Sequence, residues 1–128
     1  QWEFAARGKD NRKYPWGNRE PDPMLCNYGD MMSMPSIIGM HDEGRTPEGV
    51  HDLAGNVYEW TTDYFMPYQP GAAKPKDPAI PRYAVRGGCW NSTPDELRCA
   101  FRKGLFPEER LNTVGFRLVL PAEEDSAQ

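Results

Sequence analysis

Two carboxylates, Asp52 and Glu59, flank Gly55 in the chemically densest segment of the chain, Gly49 to Asp63. Calcium takes roughly six to eight oxygen ligands, carboxylates mixed with backbone carbonyls on a bent loop. Glycine permits such a bend because it lacks a Cβ. Asp52 and Glu59 can therefore supply carboxylate oxygens to a calcium loop. The plainer alternative is that Asp52 caps a turn and Glu59 pairs with an arginine, neither needing a metal. A calcium ion there would be structural, since a hard dication on oxygen ligands does no redox chemistry.

Softer ligands are sparse. Cys26, Cys89 and Cys99 cannot all pair with one another and lack the C-x-x-C spacing of a zinc knuckle. We read them as buried free thiols acting as small hydrophobes. Met31-Met32-Ser33-Met34 offers thioethers suited to Cu(I), but adaptable packing is the commoner use of methionine. His41 and His51 read as surface or hydrogen-bonding residues.

These groups must be positioned by a chain with few long elements. Gln1 to Arg7 is helix-compatible and ends at Gly8, so it reads as the last turns of a helix. From Lys9 to Thr46, proline and glycine recur too often for a long element, and Tyr14-Pro15-Trp16-Gly17-Asn18 reads as a tight turn holding two aromatic rings. The Pro-rich stretch Met66 to Pro81 is expected to be a surface excursion. Tyr83 to Arg86 is strand-like, and apolar alternation predicts further strands through Leu97, Cys99 and Phe101 and through Val114, Phe116, Leu118 and Leu120. The last core strand is expected over residues 113–120, with 121–128 as a flexible acidic tail. The expectation is one α+β domain, loop-rich with a small, mostly antiparallel sheet.

Composition narrows the partners. A length of 128 residues with 38% hydrophobic content supports one modest core. A net charge of -4 without a basic run argues against nucleic acid as a partner. No apolar stretch approaches a membrane span, and no signal-peptide pattern opens the chain, so no membrane is expected and the compartment stays open.

The run Asp52-Leu53-Ala54-Gly55-Asn56-Val57-Tyr58-Glu59-Trp60-Thr61 resembles a stretch carried by the formylglycine-generating enzyme, or sulfatase-modifying factor, family. Trp2-Glu3-Phe4-Ala5-Ala6-Arg7-Gly8, Tyr14-Pro15-Trp16-Gly17-Asn18, Arg86-Gly87-Gly88 and Gly115-Phe116-Arg117 are similar to further family motifs, in the same order. The resemblance implies a C-type-lectin-like fold of which residues 1–128 form roughly the C-terminal half, with the missing N-terminal half as a possible partner. It also implies calcium ligation by Asp52, the carbonyls of Gly55 and Val57, and Glu59. A second site would use the Asn27 side chain and the Tyr28 carbonyl, with Asp30 a candidate carboxylate.

The catalytic members hold copper with two cysteines between the Gly-Gly turn and an Arg-Cys-Ala-x-Arg strand. Here Ser92 stands at the first of those positions, the interval is shorter and no second cysteine follows, so copper is not expected. Cys89 occupies the usual serine position after Gly87-Gly88, although a Cys89–Cys99 metal pair stays open at this stage. Cys99 matches a position that some relatives use for a disulfide whose partner would fall at Ala6. The resemblance thus favours a recognition or scaffold module binding a protein or small ligand through its late loops, with Trp90, Asn91, Phe101, Arg102, Phe106 and Arg110 as the candidate surface. Trp90 and Phe101 are more readily core residues than anchors. The alternative is an oxidoreductase of the same family, including iron-dependent sulfoxide synthases whose iron ligands would lie outside this chain.

Overall fold

The computed structural model describes residues 1–65 and 81–120. The expected excursion from Met66 and the tail 121–128 therefore lie almost wholly outside the described residues. Helix α1 spans Trp2–Arg7 and stops where Gly8 takes a positive φ of 60° and its N–H donates back to the Phe4 carbonyl. A Cβ at position 8 would also press on the Arg12 guanidinium, which is buried and donates from Nε to the Ala6 carbonyl at 2.8 Å. The turn at Tyr14–Gly17 closes on itself, with Tyr14 and Trp16 stacked at 5.2 Å between ring centroids.

Four strands form one sheet in the order β3-β2-β1-β4, where β1 is Tyr58–Tyr64, β2 Tyr83–Arg86, β3 Arg102–Leu105 and β4 Val114–Gly115. β1 pairs antiparallel with β2, placing Glu59 opposite Arg86, and β2 pairs antiparallel with β3. β1 and β4 are parallel, with Tyr58 opposite Val114 and Glu59 opposite Gly115. The sheet is thus mixed and small, and the loop-rich α+β expectation holds.

Two strand expectations need correction. The alternation through Leu97, Cys99 and Phe101 does not form a strand: Pro94–Leu97 is a 3-10 turn, residues 99–100 turn again, and β3 begins only at Arg102. Thr93 and Glu96 close a capping box at the start of that turn, which fixes the backbone before alternation can act. The strand expected over 113–120 pairs only at Val114–Gly115, and Phe116, Leu118 and Leu120 lie exposed beyond it.

The core is divided into three clusters: Tyr14, Cys26, Ala54 and Leu97; Tyr58, Val85, Cys89 and Leu105; and Ala6, Leu53 and Cys99. The motif segment reaches all three, through Ala54, Tyr58 and Leu53 in turn. Each cluster also holds one cysteine, all three buried and free, as expected of small hydrophobes. Met31, Met32 and Met34, expected to pack, are instead exposed on the surface, because their loop runs outside all three clusters. No helix among the described residues is long and apolar enough to cross a membrane.

Candidate cation site and late loops

The motif loop is built on unusual backbone. Asp52, Gly55 and Asn56 all have positive φ, at 58°, 73° and 66°. A side chain at Gly55 would run into the Asn27 carbonyl oxygen, so glycine is required there by close approach as well as by conformation. The loop is pinned at both ends of this bend: the Gly55 N–H donates to the Gly87 carbonyl at 2.7 Å and the Asn56 N–H to the Asn27 carbonyl at 2.9 Å. The motif and the Asn27 segment are thereby held as neighbours.

Asp52, Asn56, Val57 and Glu59 line a cavity of about 250 Å³ with His51, Ile38, Phe116 and Arg117. Three of the four residues expected to ligate calcium in this loop therefore share one hollow. Among the described residues no donor reaches the carbonyls of Gly55 or Val57, which leaves their lone pairs available. The two carboxylates are already engaged. Asp52 Oδ2 accepts the Gly39 N–H at 2.7 Å. Buried Glu59 accepts Arg117 Nε at one oxygen, and Arg117 Nη2 at 3.1 Å and Trp2 Nε1 at 3.2 Å at the other. Burial pushes the Glu59 carboxyl above its ordinary range, with Arg117 and Trp2 opposing that shift. The arginine-pairing alternative is thus realised, and a cation reaching Glu59 would have to share it with Arg117.

Asn27 offers a different signal. Its side chain is only 1% exposed and Nδ2 donates to the Met34 carbonyl, yet Oδ1 is buried with no hydrogen-bond partner among the described residues. A buried orphan acceptor is unfavourable by about 1–3 kcal/mol, and a cation or water is what would satisfy it. The Tyr28 carbonyl accepts the Met31 N–H at a long 3.5 Å, and Asp30 is exposed beside it. This donor chemistry suits a hard cation, and no group of three His, Cys, Asp or Glu side chains converges among the described residues.

The thiols do not converge. Cys89 and Cys99 belong to different clusters, which removes the metal pair that spacing left open. Ser92 is buried, its Oγ accepting the Cys89 N–H at 2.8 Å and lying 3.4 Å from the Cys89 sulfur. Cys99 does pack beside Ala6, as the disulfide position of some relatives implies. His51 bonds Asp42 at 2.8 Å, in the ordinary hydrogen-bonding role, while the buried His41 Nδ1 has no partner among the described residues.

The late-loop residues are spread rather than gathered. Trp90 is half-buried and donates to the Asn112 carbonyl, exposed Asn91 accepts the Cys89 thiol at 2.8 Å, and Phe101 packs against the Tyr58 cluster. Arg102 lies 5.2 Å over Phe65, Phe106 is covered by Arg82 at 4.8 Å, and Arg110 is exposed. None of them lines the motif-loop cavity. Arg117, Trp2 and Gly39 were not assigned to the site from sequence, because each comes from far along the chain. The only sequence signal for Arg117 and Trp2 was their place in family motifs.

Comparison with known proteins agrees with this architecture. The Sulfatase-modifying factor enzyme 1-like domain matches residues 1–122. The chain is 39% identical to the serine/threonine-protein kinase Pkn1 of Chlamydia trachomatis serovar L2, over 91% of this chain and 19% of that protein. It is 33% identical to a hercynine oxygenase of Mycobacterium tuberculosis, over 91% of this chain and 28% of that protein. Among solved structures, Treponema denticola variable protein 1 superposes with a TM-score of 0.73 at 29% identity, covering 90% of this chain and 43% of that one. The chain thus spans less than half the length of the proteins compared. With the family match running over residues 1–122, the chain belongs to the sulfatase-modifying factor family of formylglycine-generating-enzyme-like domains.

Proposed function

We propose that the chain is the C-terminal portion of a calcium-stabilised family domain that serves as a recognition or scaffold module. The observation that carries the non-catalytic reading is Ser92. Where the copper-dependent members have a thiolate, this chain has a buried hydroxyl bonded to the Cys89 backbone, and its three thiols sit in three separate clusters. Soft-metal chemistry needs a thiolate pair that these positions do not supply. Calcium at the motif-loop site is supported by the carbonyls of Gly55 and Val57, which no donor reaches among the described residues, and by the cavity that Asp52 and Glu59 share; calcium at the second site is supported by the orphaned Asn27 oxygen. Each ion would be structural and supply no reaction step.

A recognition role is supported by the match of this domain to only a fifth or so of a protein named as a kinase, the proportion of an accessory module. Trp90, Asn91, Phe101, Arg102, Phe106 and Arg110 would contribute to a broad protein- or ligand-binding surface rather than a deep pocket. Ile38 and Phe116, exposed apolar side chains at one cavity, would be covered by the remainder of a longer family domain.

Elemental analysis and calorimetric melting test this reading together. Purified chain should carry calcium, and about 1 mM calcium above a tight site should raise stability by a few kcal/mol through mass action. Glu59→Gln or Asn27→Ala should shrink that calcium-dependent shift. A melting temperature indifferent to calcium and to chelator would overturn the calcium assignment. The hercynine oxygenase relative favours a second reading, oxidation with iron ligands outside this chain. Oxygen consumption with a thiol substrate by an iron-loaded longer protein that carries this chain together with such ligands would replace the module reading.

A further inference from the structure

Arg7, Arg12, Lys13 and Arg98 meet around a second cavity, of about 220 Å³, together with Asn11 and Ala100. Sequence distance conceals this. Arg7 ends α1, residues 11–13 follow the turn after Gly8, and Arg98 follows the 3-10 turn Pro94–Leu97. The Cys99 N–H donates to the Lys13 carbonyl at 2.8 Å and holds the two stretches side by side. A chain without any basic run in sequence thus builds a four-cation hollow in space.

Such a group of like charges is tolerated because carboxylates flank it. Glu3 lies 3.5 Å from Arg7, Asp10 and Glu48 3.4 and 2.9 Å from Arg12, Glu20 3.8 Å from Lys13, and Asp95 2.9 Å from Arg98. None of these carboxylates lines the cavity. They pair with the cations from positions outside the cavity lining. Arg12 is only 4% exposed and is further clamped by the Ala6 carbonyl.

Donor capacity remains unused. The Arg7 Nε is buried with no hydrogen-bond partner among the described residues. Arg98 is held through Nε alone, by the Asp95 carbonyl and carboxylate, which leaves its terminal nitrogens without a partner there. Arg12 has all three of its nitrogens engaged, by Ala6, Asp10 and Glu48, so the Arg7 and Arg98 guanidinium groups with the Lys13 ammonium are what match an acceptor with several oxygens and more than one negative charge.

We propose that this hollow binds a phosphoryl group, either free inorganic phosphate or the phosphate of a small monoester. A lone carboxylate would satisfy one fork and leave the others unmatched, whereas a tetrahedral dianion presents oxygens to several. The volume is below the roughly 300–1,000 Å³ of a drug-sized site, so only the head group enters. The flanking carboxylates moderate the field, which sets the affinity near a Kd of about 0.1–1 mM and makes it fall with salt.

Titration of the full chain with inorganic phosphate and with O-phosphoethanolamine, at constant ionic strength and followed by calorimetry and amide chemical shifts, tests the site. We expect saturable binding with shifts at Arg7, Asn11, Lys13 and Arg98. The tighter of the two probes identifies the source of the phosphoryl group. Arg7→Gln and Arg98→Gln should each weaken binding about tenfold, the loss of one charge-assisted contact. Both side chains are partly exposed, at 29% and 36%, so the variants should melt with the parent. No saturation by about 10 mM of either probe, or full affinity in the double variant, would overturn the assignment.

Discussion

Two buried or half-buried carboxylates respond to their surroundings in opposite directions. Glu59 is raised from its ordinary 4.5 by burial, against the pull of Arg117 and Trp2. The folded state therefore holds that proton more tightly than the unfolded chain, and stability drawn from this group falls as pH climbs from about 4.5 through the raised value. At Glu96 burial also pushes upward, but the Tyr58 hydroxyl at 2.6 Å and the Thr93 N–H and hydroxyl prevail, and the carboxyl lies below its ordinary range. Its contribution is complete above about 4.5 and is lost as pH drops through the lowered value. Tyr58→Phe should destabilise the chain by about 1–2 kcal/mol at pH 7, a charge-assisted bond discounted for partial exposure. Denaturant titrations down the acid limb should show that difference shrinking as Glu96 protonates; a pH-independent difference would mean that packing, not the carboxylate, is responsible. The carboxylates of the cation loop were legible in sequence as residue types. Which of them already had an arginine was not, since Arg117 is 58 residues from Glu59.

At the scale of elements, the loop before β1 does more than the strand. β1 is buried only at Tyr58 and Glu59 and runs outward to exposed residues, so its packing is set where it begins. The loop seats Leu53, Ala54 and Tyr58 in three clusters while Gly55 touches the Asn27 backbone. Gly55→Ala should then cost about 2–4 kcal/mol, combining overpacking against backbone with a left-handed conformation. Chemical denaturation would register it, and a loss under about 0.5 kcal/mol would show that the two segments can separate freely. Helix α1 and β2 were readable from local pattern because a glycine stop and a short apolar run suffice. The alternation from Leu97 forms no strand because a capping box, itself visible as Thr93 to Glu96, outranks three alternating residues. Beyond Gly115 the alternation forms no ladder among the described residues.

At the scale of the molecule, three small clusters take the place of one large core among the described residues, and each buries a thiol. Burial pushes Cys26 up to about 12 and Cys99 up to about 11, even though Arg12 and Arg7 favour the Cys99 thiolate. Since the thiolate is the reactive form, both should resist alkylation at pH 8 by at least about a hundredfold relative to a free cysteine. Mass-resolved alkylation across a denaturant series should show Cys26 and Cys99 becoming reactive together, at the global transition. Early labelling of one alone would reveal a cluster that opens independently.

By itself the sequence determined the family, the α1 stop, the glycine at the bend of the motif loop and the absence of a paired-thiol spacing. Those properties are local: they depend on residues within a turn or two of one another, or on a contiguous motif. The tertiary structure alone decided that Glu59 meets Arg117, that Asn27 is left with an unanswered oxygen, that the cysteines are dispersed, and that four scattered cations share one hollow. Each of these depends on which distant loops lie side by side. With so little regular structure, such adjacency is set by individual backbone contacts, such as Cys99 to Lys13 and Asn56 to Asn27, which no periodicity records.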